Sequence, residues 1–462
     1  MVGAGGAVVN EIPPNVTLSA YLQRLKGDST KRLRIAINAL LASHDPSGIV
    51  SGLIGLILSL GRLRDGEEEY VIIVDSQGGD WLKPYLGSNQ RLIIKPQAQT
   101  QRDKLKQYLG PLRPIAGRIW RSLFAVLLSE AESTEVPVSD GFYENLGCDV
   151  IHFPFQNFVS CSLPTIYNPH DLQHLHYPQF FKRSDIAWRE ATYRAGCHLS
   201  NTVVVGSNWV KRDIVHHYGV NPDKVQIIPW AAPTQAFPAP SKDKVKDVRE
   251  KYDLELPFAF YPAATWKHKN HLRLLEAVGR LRDHSGLSVR IVCTGGLVPG
   301  HWTEINKHLD ALHLANQIRF LGLVPYEDVR SIYRLAQFVI FPTLFEAASG
   351  PILEAWQDGV PVACSTVTSL PEQVGDAALL FDPFSVDAIA NALHCMSTDE
   401  NLRNELIKKG ERRLKDFDWE RTAKAYRAVY RRAAKIPLTD EENWLLSWDW
   451  MRDSNLAKTE GG

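Results

Sequence analysis

At 462 residues the chain exceeds one ordinary core, so two units of roughly 200 residues each are expected. Its 44% hydrophobic and 23% charged content is that of a globular protein, and 52 Lys+Arg against 52 Asp+Glu leave no global bias toward nucleic acid or an anionic surface. The six cysteines are scattered without a C-x-x-C pair, which points to neither a cysteine zinc site nor a disulfide framework and favours a reducing, cytoplasmic location.

The opening MVGAGGAVVNEIPPN has no basic segment before an apolar core, so residues 1–30 read as an N-terminal extension rather than a signal peptide. No run approaches the ~20 apolar residues of a membrane span. Short β-branched runs then alternate with helical patterns. RIAINA (34–39) leads through LLASHDPSG into an apolar helix, and YVIIVDS, RLIIKP, DVIHFPF, PTIYNP, TVVVGS and VQIIPW follow up to residue 230. Strands this continuously apolar predict a parallel sheet covered on both faces, over 31–232. Residues 233–245, rich in Ala, Pro and Ser, read as a linker. The alternation restarts with PFAFYP, SVRIVCTGG, IRFLGLV, QFVIFP, VPVACS and ALLFDP, predicting a second doubly wound sheet over 246–418. A helical tail, 419–462, ends the chain and is expected to pack back toward the first unit.

Ligands of open α/β sheets bind beyond the carboxyl ends of the strands, so the loops after strands carry the chemistry. After QFVIFP comes TLFEAASG and then PILEAWQDG. Pro351 suits a first helical turn and Gly359 a position just past the end, so a helix is expected from about Pro351 to Asp358 with Glu354 in its first turn. Free N–H groups near Ser349, Gly350 and Ile352 would make an anion site flanked by Glu346 and Glu354. On spacing alone, Glu354 merely complementing the helix dipole and Glu346 lying in solvent is an equal alternative. After PFAFYP comes AATWKHKN, which sets Lys267 and Lys269 at a helix start with Asn270 as N-cap; a diphosphate would relieve their repulsion. After PTIYNP, His170, His174, His176 and Asp171 raise a metal site, but the ligand set is incomplete and Pro178 limits any helix. A substrate hydrogen bond from His170 is preferred, and no metal is expected. The DFD at 416–418 follows no strand and reads as a turn and helix start.

After RIAINA, Gly48 permits close approach of a ligand to the backbone. Neither G-x-G-x-x-G nor a P-loop is present. Residues 109–128, LGPLRPIAGRIWRSLFAVLL, combine three arginines with Trp120, Phe124 and leucines. That pattern fits a helix on an anionic membrane surface or a core helix with one solvated face.

Taken together, FPTLFEAASGPILEAWQDGVPVACSTVTSLPEQVGDAALLFDP, YPAATWKHKN and GSNWVKRDIVHHYGV resemble the retaining GT-B glycosyltransferases of family four, over about residues 33–435. NPHDLQHLHYPQFF is similar to a loop of bacterial polysaccharide-building members, often mannosyltransferases. The resemblance implies a GT-B fold, two Rossmann-like domains facing each other across a cleft. It implies transfer of a hexosyl group from a nucleoside diphosphate sugar, GDP-mannose as the guess, to a hydroxyl of a glycan or lipid-linked acceptor. No metal or other cofactor and no nucleic acid is implied. Glu354 would hold the ribose and Glu346 the donor sugar. Ser349, Gly350, Pro351 and Ile352 would give backbone contacts to sugar and phosphate. Lys269 would neutralise the leaving diphosphate, and His170 would bond sugar hydroxyls. Gly48 would lie near the donor phosphates. The alternatives are a sugar-nucleotide epimerase or phosphorylase on the same fold, or a non-catalytic binding protein. Two positions depart from the family pattern. Ala264 stands where an Arg is usual, with Lys267 or Thr265 as replacements, and Ala347-Ala348 replace the usual Gly-Phe.

Overall fold

The computed structural model describes residues 32–40, 48–76, 79–96, 135–232 and 236–451. The segment 109–128 lies outside them. Among the described residues no helix is long and apolar enough to cross a membrane.

Each apolar run of the sequence becomes a strand. The first sheet holds β1 (Arg34–Asn38), β2 (Glu69–Val74), β3 (Gln90–Ile94), β4 (Val150–Phe153), β5 (Thr165–Tyr167), β6 (Thr202–Val205) and β7 (Val225–Ile227), in the order β3-β2-β1-β4-β5-β6-β7. The second holds β8 (Ala259–Pro262), β9 (Ile291–Thr294), β10 (Ile318–Phe320), β11 (Phe338–Phe341), β12 (Val362–Ser365) and β13 (Leu379–Phe381), ordered β10-β9-β8-β11-β12-β13. Every ladder is parallel. Both are Rossmann-like sheets in which the strand order reverses beside the first strand, and the loops of interest leave the carboxyl ends. The helix Lys242–Lys251 covers the last residues of the segment read as a linker.

The helices that position the site are α1 (Gly48–Arg62), α2 (Gln173–His176), α3 (Asn208–Tyr218), α4 (His271–Ser285), α5 (Tyr326–Leu335), α6 (Gly350–Gln357), α7 (Leu370–Val374) and α8 (Trp419–Ala433). DFD acts as a turn and helix start: Asp416 pairs with Arg413, and the Asp418 carboxylate caps α8 by accepting from the Arg421 N–H at 2.9 Å.

α8 belongs by sequence to the tail but packs on α1 of the first sheet. Gly52 and Gly55 make this possible: a Cβ on Gly52 would lie 2.0 Å from the Trp230 ring, and one on Gly55 would lie 2.2 Å from Trp419. α8 also brings polar groups into the first core. Asn168 Nδ2 donates to Tyr426 Oη at 2.8 Å, Trp230 Nε1 donates to the same oxygen at 3.0 Å, and His152 Nε2 bonds Asn168 Oδ1 at 2.8 Å. The amide oxygen can only accept, so His152 carries its proton on Nε2 and Nδ1 accepts from Tyr430 Oη at 2.8 Å. Full burial pushes the His152 pKa down to about 4. Arg427 closes the edge with a bidentate pair to Asp65 at 2.6 and 3.0 Å.

Candidate active site

The loop after β11 is gripped from three directions. From within its own domain, Thr368 Oγ1 accepts from the Glu346 N–H at 3.1 Å, and Ser369 Oγ donates to the Glu346 carbonyl at 2.8 Å. The Gln373 amide then clasps Ser349: the Ser349 N–H donates to Oε1 and Nε2 donates to the Ser349 carbonyl, both at 2.8 Å. From the other domain, Tyr177 Oη donates to the Leu344 carbonyl at 3.0 Å and Ser207 Oγ to the Ala347 carbonyl at 3.2 Å. The Phe345 ring packs on His176 and Trp209 with centroids 5.5 and 5.6 Å away. Glu372, on α7, accepts from the Trp209 N–H at 2.7 Å, a further tie between the domains.

The clasp explains the two alanines. Ala347 packs against the core of the first domain, and Ala348 sits 3.4 Å from where a Cβ on Gly206 would stand. Neither alanine has a positive φ, so glycine is not required there. Small side chains are what the interdomain contact accepts.

The third direction is the loop after β8. Lys269 Nζ donates to Glu346 Oε1 in a short ion pair, with 20% and 14% of the two side chains exposed. Two residues read from separate stretches of sequence thus form one unit. Asn270 fixes the backbone beneath it. It occupies the N-cap position of α4 in a left-handed conformation, φ 61°, but its side chain does not cap the helix. Its Nδ2 donates instead to the Pro342 carbonyl at 2.8 Å and the Pro383 carbonyl at 2.9 Å, stapling the loops after β8, β11 and β13. Tyr261 Oη adds a 2.6 Å bond to the Lys269 carbonyl.

Several expectations are corrected. α6 starts at Gly350, one residue early, so no acidic residue lies in its first turn and Glu354 falls beyond it. The Ser349 N–H is already taken by Gln373, and Pro351 has no N–H to give while its carbonyl accepts from Tyr333 Oη at 3.1 Å. Gly350 faces open space and Ile352 is fully buried, so an anion at this end would meet their backbone alone. Glu354 accepts from Tyr326 Oη at 2.9 Å, and burial raises its pKa above the usual carboxylate range. The Tyr326 ring packs on Phe237 at 4.2 Å.

Lys267 is exposed. It lines a cavity of about 360 Å³ with Tyr177, Phe180, Arg273, His301 and Phe384, whose wall includes neither Lys269 nor Glu346. Thr265 is buried and occupied, its hydroxyl accepting from the Val298 N–H at 2.7 Å. The Thr265 hydroxyl therefore does not take the place of an arginine at Ala264.

The three histidines after β5 diverge. His170, at φ 65°, donates from Nε2 to the Pro154 carbonyl at 2.8 Å and stands edge-on to Trp230 at 5.1 Å; its Nδ1 is therefore the acceptor nitrogen. Burial lowers its pKa and favours this neutral form. His174 turns to Glu190 and His176 to Asp213, each at 2.8 Å, so the four-residue cluster does not converge on one ion. Gly48 opens α1, and a methyl group there would meet nothing within 4 Å. Gln373, Thr368 and Ser207 carried no sequence signal of their own, and Asn270 was legible only as an N-cap, not as the staple it is. They bond loop backbones, and only the folded path of those loops reveals them.

Two family models match the chain: "Glycosyl transferases group 1" over residues 243–413 and "Glycosyltransferase Family 4" over residues 106–235. The chain is 28% identical over 266 residues to an O-antigen chain mannosyltransferase B of Escherichia coli, a match covering 56% of this chain and 69% of that one. It is 25% identical over 264 residues to a D-inositol 3-phosphate glycosyltransferase of Corynebacterium glutamicum, covering 53% of this chain and 60% of that one. A solved structure of Anabaena Alr3699/HepE in complex with UDP and glucose superimposes with a TM-score of 0.61 at 15% identity, over 87% of this chain and all of that one. At that identity the likeness speaks for the fold.

Proposed function

The chain belongs to the group 1, family 4 glycosyltransferases, and from that premise we propose that it moves a hexosyl group, mannosyl first among them, from a nucleoside diphosphate sugar to a hydroxyl of a glycan or lipid-linked acceptor, with retention of anomeric configuration. One observation carries the reading: Lys269 and Glu346 are brought into contact at the carboxyl ends of β8 and β11, on a loop that the other domain holds in place. An ion pair between two chain segments, partly open to solvent, is ready to be exchanged for a ligand that offers an anion to the lysine and hydroxyls to the carboxylate. A nucleoside diphosphate sugar offers both.

In this reading Lys269 turns to the diphosphate and Glu346 accepts from hydroxyls of the donor sugar. Glu354 exchanges the Tyr326 hydroxyl for those of the ribose. The Nδ1 of His170 accepts from a sugar hydroxyl, its orientation fixed by the Pro154 bond. The anomeric C–O bond to the phosphate breaks, and the acceptor oxygen bonds the same carbon from the same face. The acceptor proton passes to an oxygen of the departing diphosphate. Charge gathers on that diphosphate, where Lys269 and the N–H groups at the start of α6 meet it; fixed donors and charges of this kind are a major source of rate acceleration. No step is assigned to a metal ion.

A panel of GDP-, UDP-, ADP- and dTDP-sugars read by thermal shift identifies the base, with GDP-mannose the first expectation, followed by product analysis with and without acceptor. Lys269→Ala and Glu346→Gln should each lower transfer by roughly a hundredfold or more at an unchanged melting temperature. Near-normal transfer by both variants would remove the assignment, and conversion of the donor without acceptor would point to an epimerase.

A further inference from the structure

We propose that His176, Asp213 and His217 form a three-ligand site for a first-row divalent transition ion, Zn²⁺ being the first candidate, at the contact between the two domains. The three ligating atoms lie within 4.8 Å of one another. Asp213 Oδ1 is the centre of the group, 2.8 Å from His176 Nε2 and 3.3 Å from His217 Nε2. Ions that bind imidazole and carboxylate at about 2.0–2.2 Å in tetrahedral geometry place neighbouring ligand atoms roughly 3.3 Å apart. Both contacts to Asp213 are near that spacing. The two imidazole nitrogens must close by at most roughly 1.5 Å to match it. The His217 side chain is 33% exposed and the His176 side chain 30%, and closing the gap falls chiefly to His217, since His176 is packed on Trp209 and Phe345.

A second observation points to a missing partner. Asp213 has only 6% of its side chain exposed, yet Oδ2 is buried with no hydrogen-bond partner, both histidines being spent on Oδ1. A buried carboxylate oxygen without a donor is costly, and a cation held by both oxygens of this carboxylate removes the cost. The sequence supplies the geometry cheaply. Asp213 and His217 are four apart on α3 and share a helix face, while α2 presents His176 from across the domain surface. Imidazole nitrogen with carboxylate oxygen suits Zn²⁺, Ni²⁺, Cu²⁺ or Co²⁺ rather than Ca²⁺ or Mg²⁺. Three protein ligands leave a fourth position for water or for His216, whose ring lies 4.9 Å from that of His217. The ion would pin α2 to α3 beneath Phe345, whose ring rests on His176, and so would steady the loop that carries Glu346.

The test uses the full chain stripped with chelator, then titrated with ZnCl₂ by calorimetry and with CoCl₂ by visible absorption. The expected result is one tight equivalent, an intensified low-coordinate Co²⁺ spectrum displaced by Zn²⁺, and a raised melting temperature. His217→Ala, a surface change with little effect on folding, should weaken binding at least tenfold and abolish the Co²⁺ bands. Asp213→Asn should do the same if it folds. Equal Zn²⁺ affinity in the wild type and His217→Ala, or an octahedral aquo-like Co²⁺ spectrum in the wild type, overturns the site.

Discussion

Replacing Gln373 by leucine tests how far the site depends on a residue that contacts no catalytic side chain. Gln373 and Ser349 are each 3% exposed, and the amide satisfies both the N–H and the carbonyl of Ser349 at 2.8 Å. Leucine fills similar volume but leaves one buried donor and one buried acceptor orphaned, at about 1–3 kcal/mol each, so a loss of roughly 2–6 kcal/mol is expected. For a domain of this size that is a fall in Tm on the order of 10 °C. Because Ser349 immediately precedes α6, the loosened loop should also raise the donor KM more than it lowers kcat. Gln373→Glu gives an internal control. Ionised, it keeps the acceptor for the N–H but sets an oxygen against the carbonyl. Protonated, its O–H restores the missing donor, so the variant should recover stability as the solution is acidified, in contrast to leucine. Thermal melts across pH and donor titrations on both variants decide the matter. A leucine variant that melts with the wild type and binds donor equally well refutes the idea that this amide positions the loop.

The glycines of α1 separate packing from chemistry. Gly52→Ala drives a methyl into Trp230 and Gly55→Ala drives one into Trp419, and each should cost about 1–3 kcal/mol or more in thermal melts. Only Trp230 touches His170, so Gly52→Ala should in addition impair transfer per folded molecule, and equal specific activity in the two variants would contradict that link. His152 sets a pH dependence. Its folded pKa of about 4 lies below the ordinary 6.5, so between these values the unfolded chain binds the extra proton. Stability from this group is therefore complete above pH ~6.5 and falls by roughly 3 kcal/mol as pH drops to about 4. A His152→Gln variant removes that titration, and its melting temperature should fall less steeply over the same window; an identical slope would show that His152 is not the group responsible.

What the sequence determined by itself is the fold and which side chains stand at the ends of its strands. Thirteen apolar runs such as TVVVGS and QFVIFP become thirteen parallel strands, because a strand buried on both faces must be apolar along its whole length, and that pattern is local. The placement of Glu346, Lys269 and His170 was legible for a related reason: they stand in loops after strands, and parallel topology sends every such loop to one end of its sheet. Tertiary structure alone decided who meets whom. Lys269 and Glu346 are 77 positions apart, and their contact follows from β8 lying next to β11. The sharing of Ser349 by Gln373, the three-loop staple of Asn270, and the seating of Ala347 and Phe345 on the other domain are long-range hydrogen bonds and packing contacts with no periodic signature. Glu346 and Glu354 share one short stretch of sequence, yet the fold gives them different partners, the Lys269 ammonium for one and the Tyr326 hydroxyl for the other. Burial and neighbours, which belong to the folded chain, make two identical carboxylates into different groups.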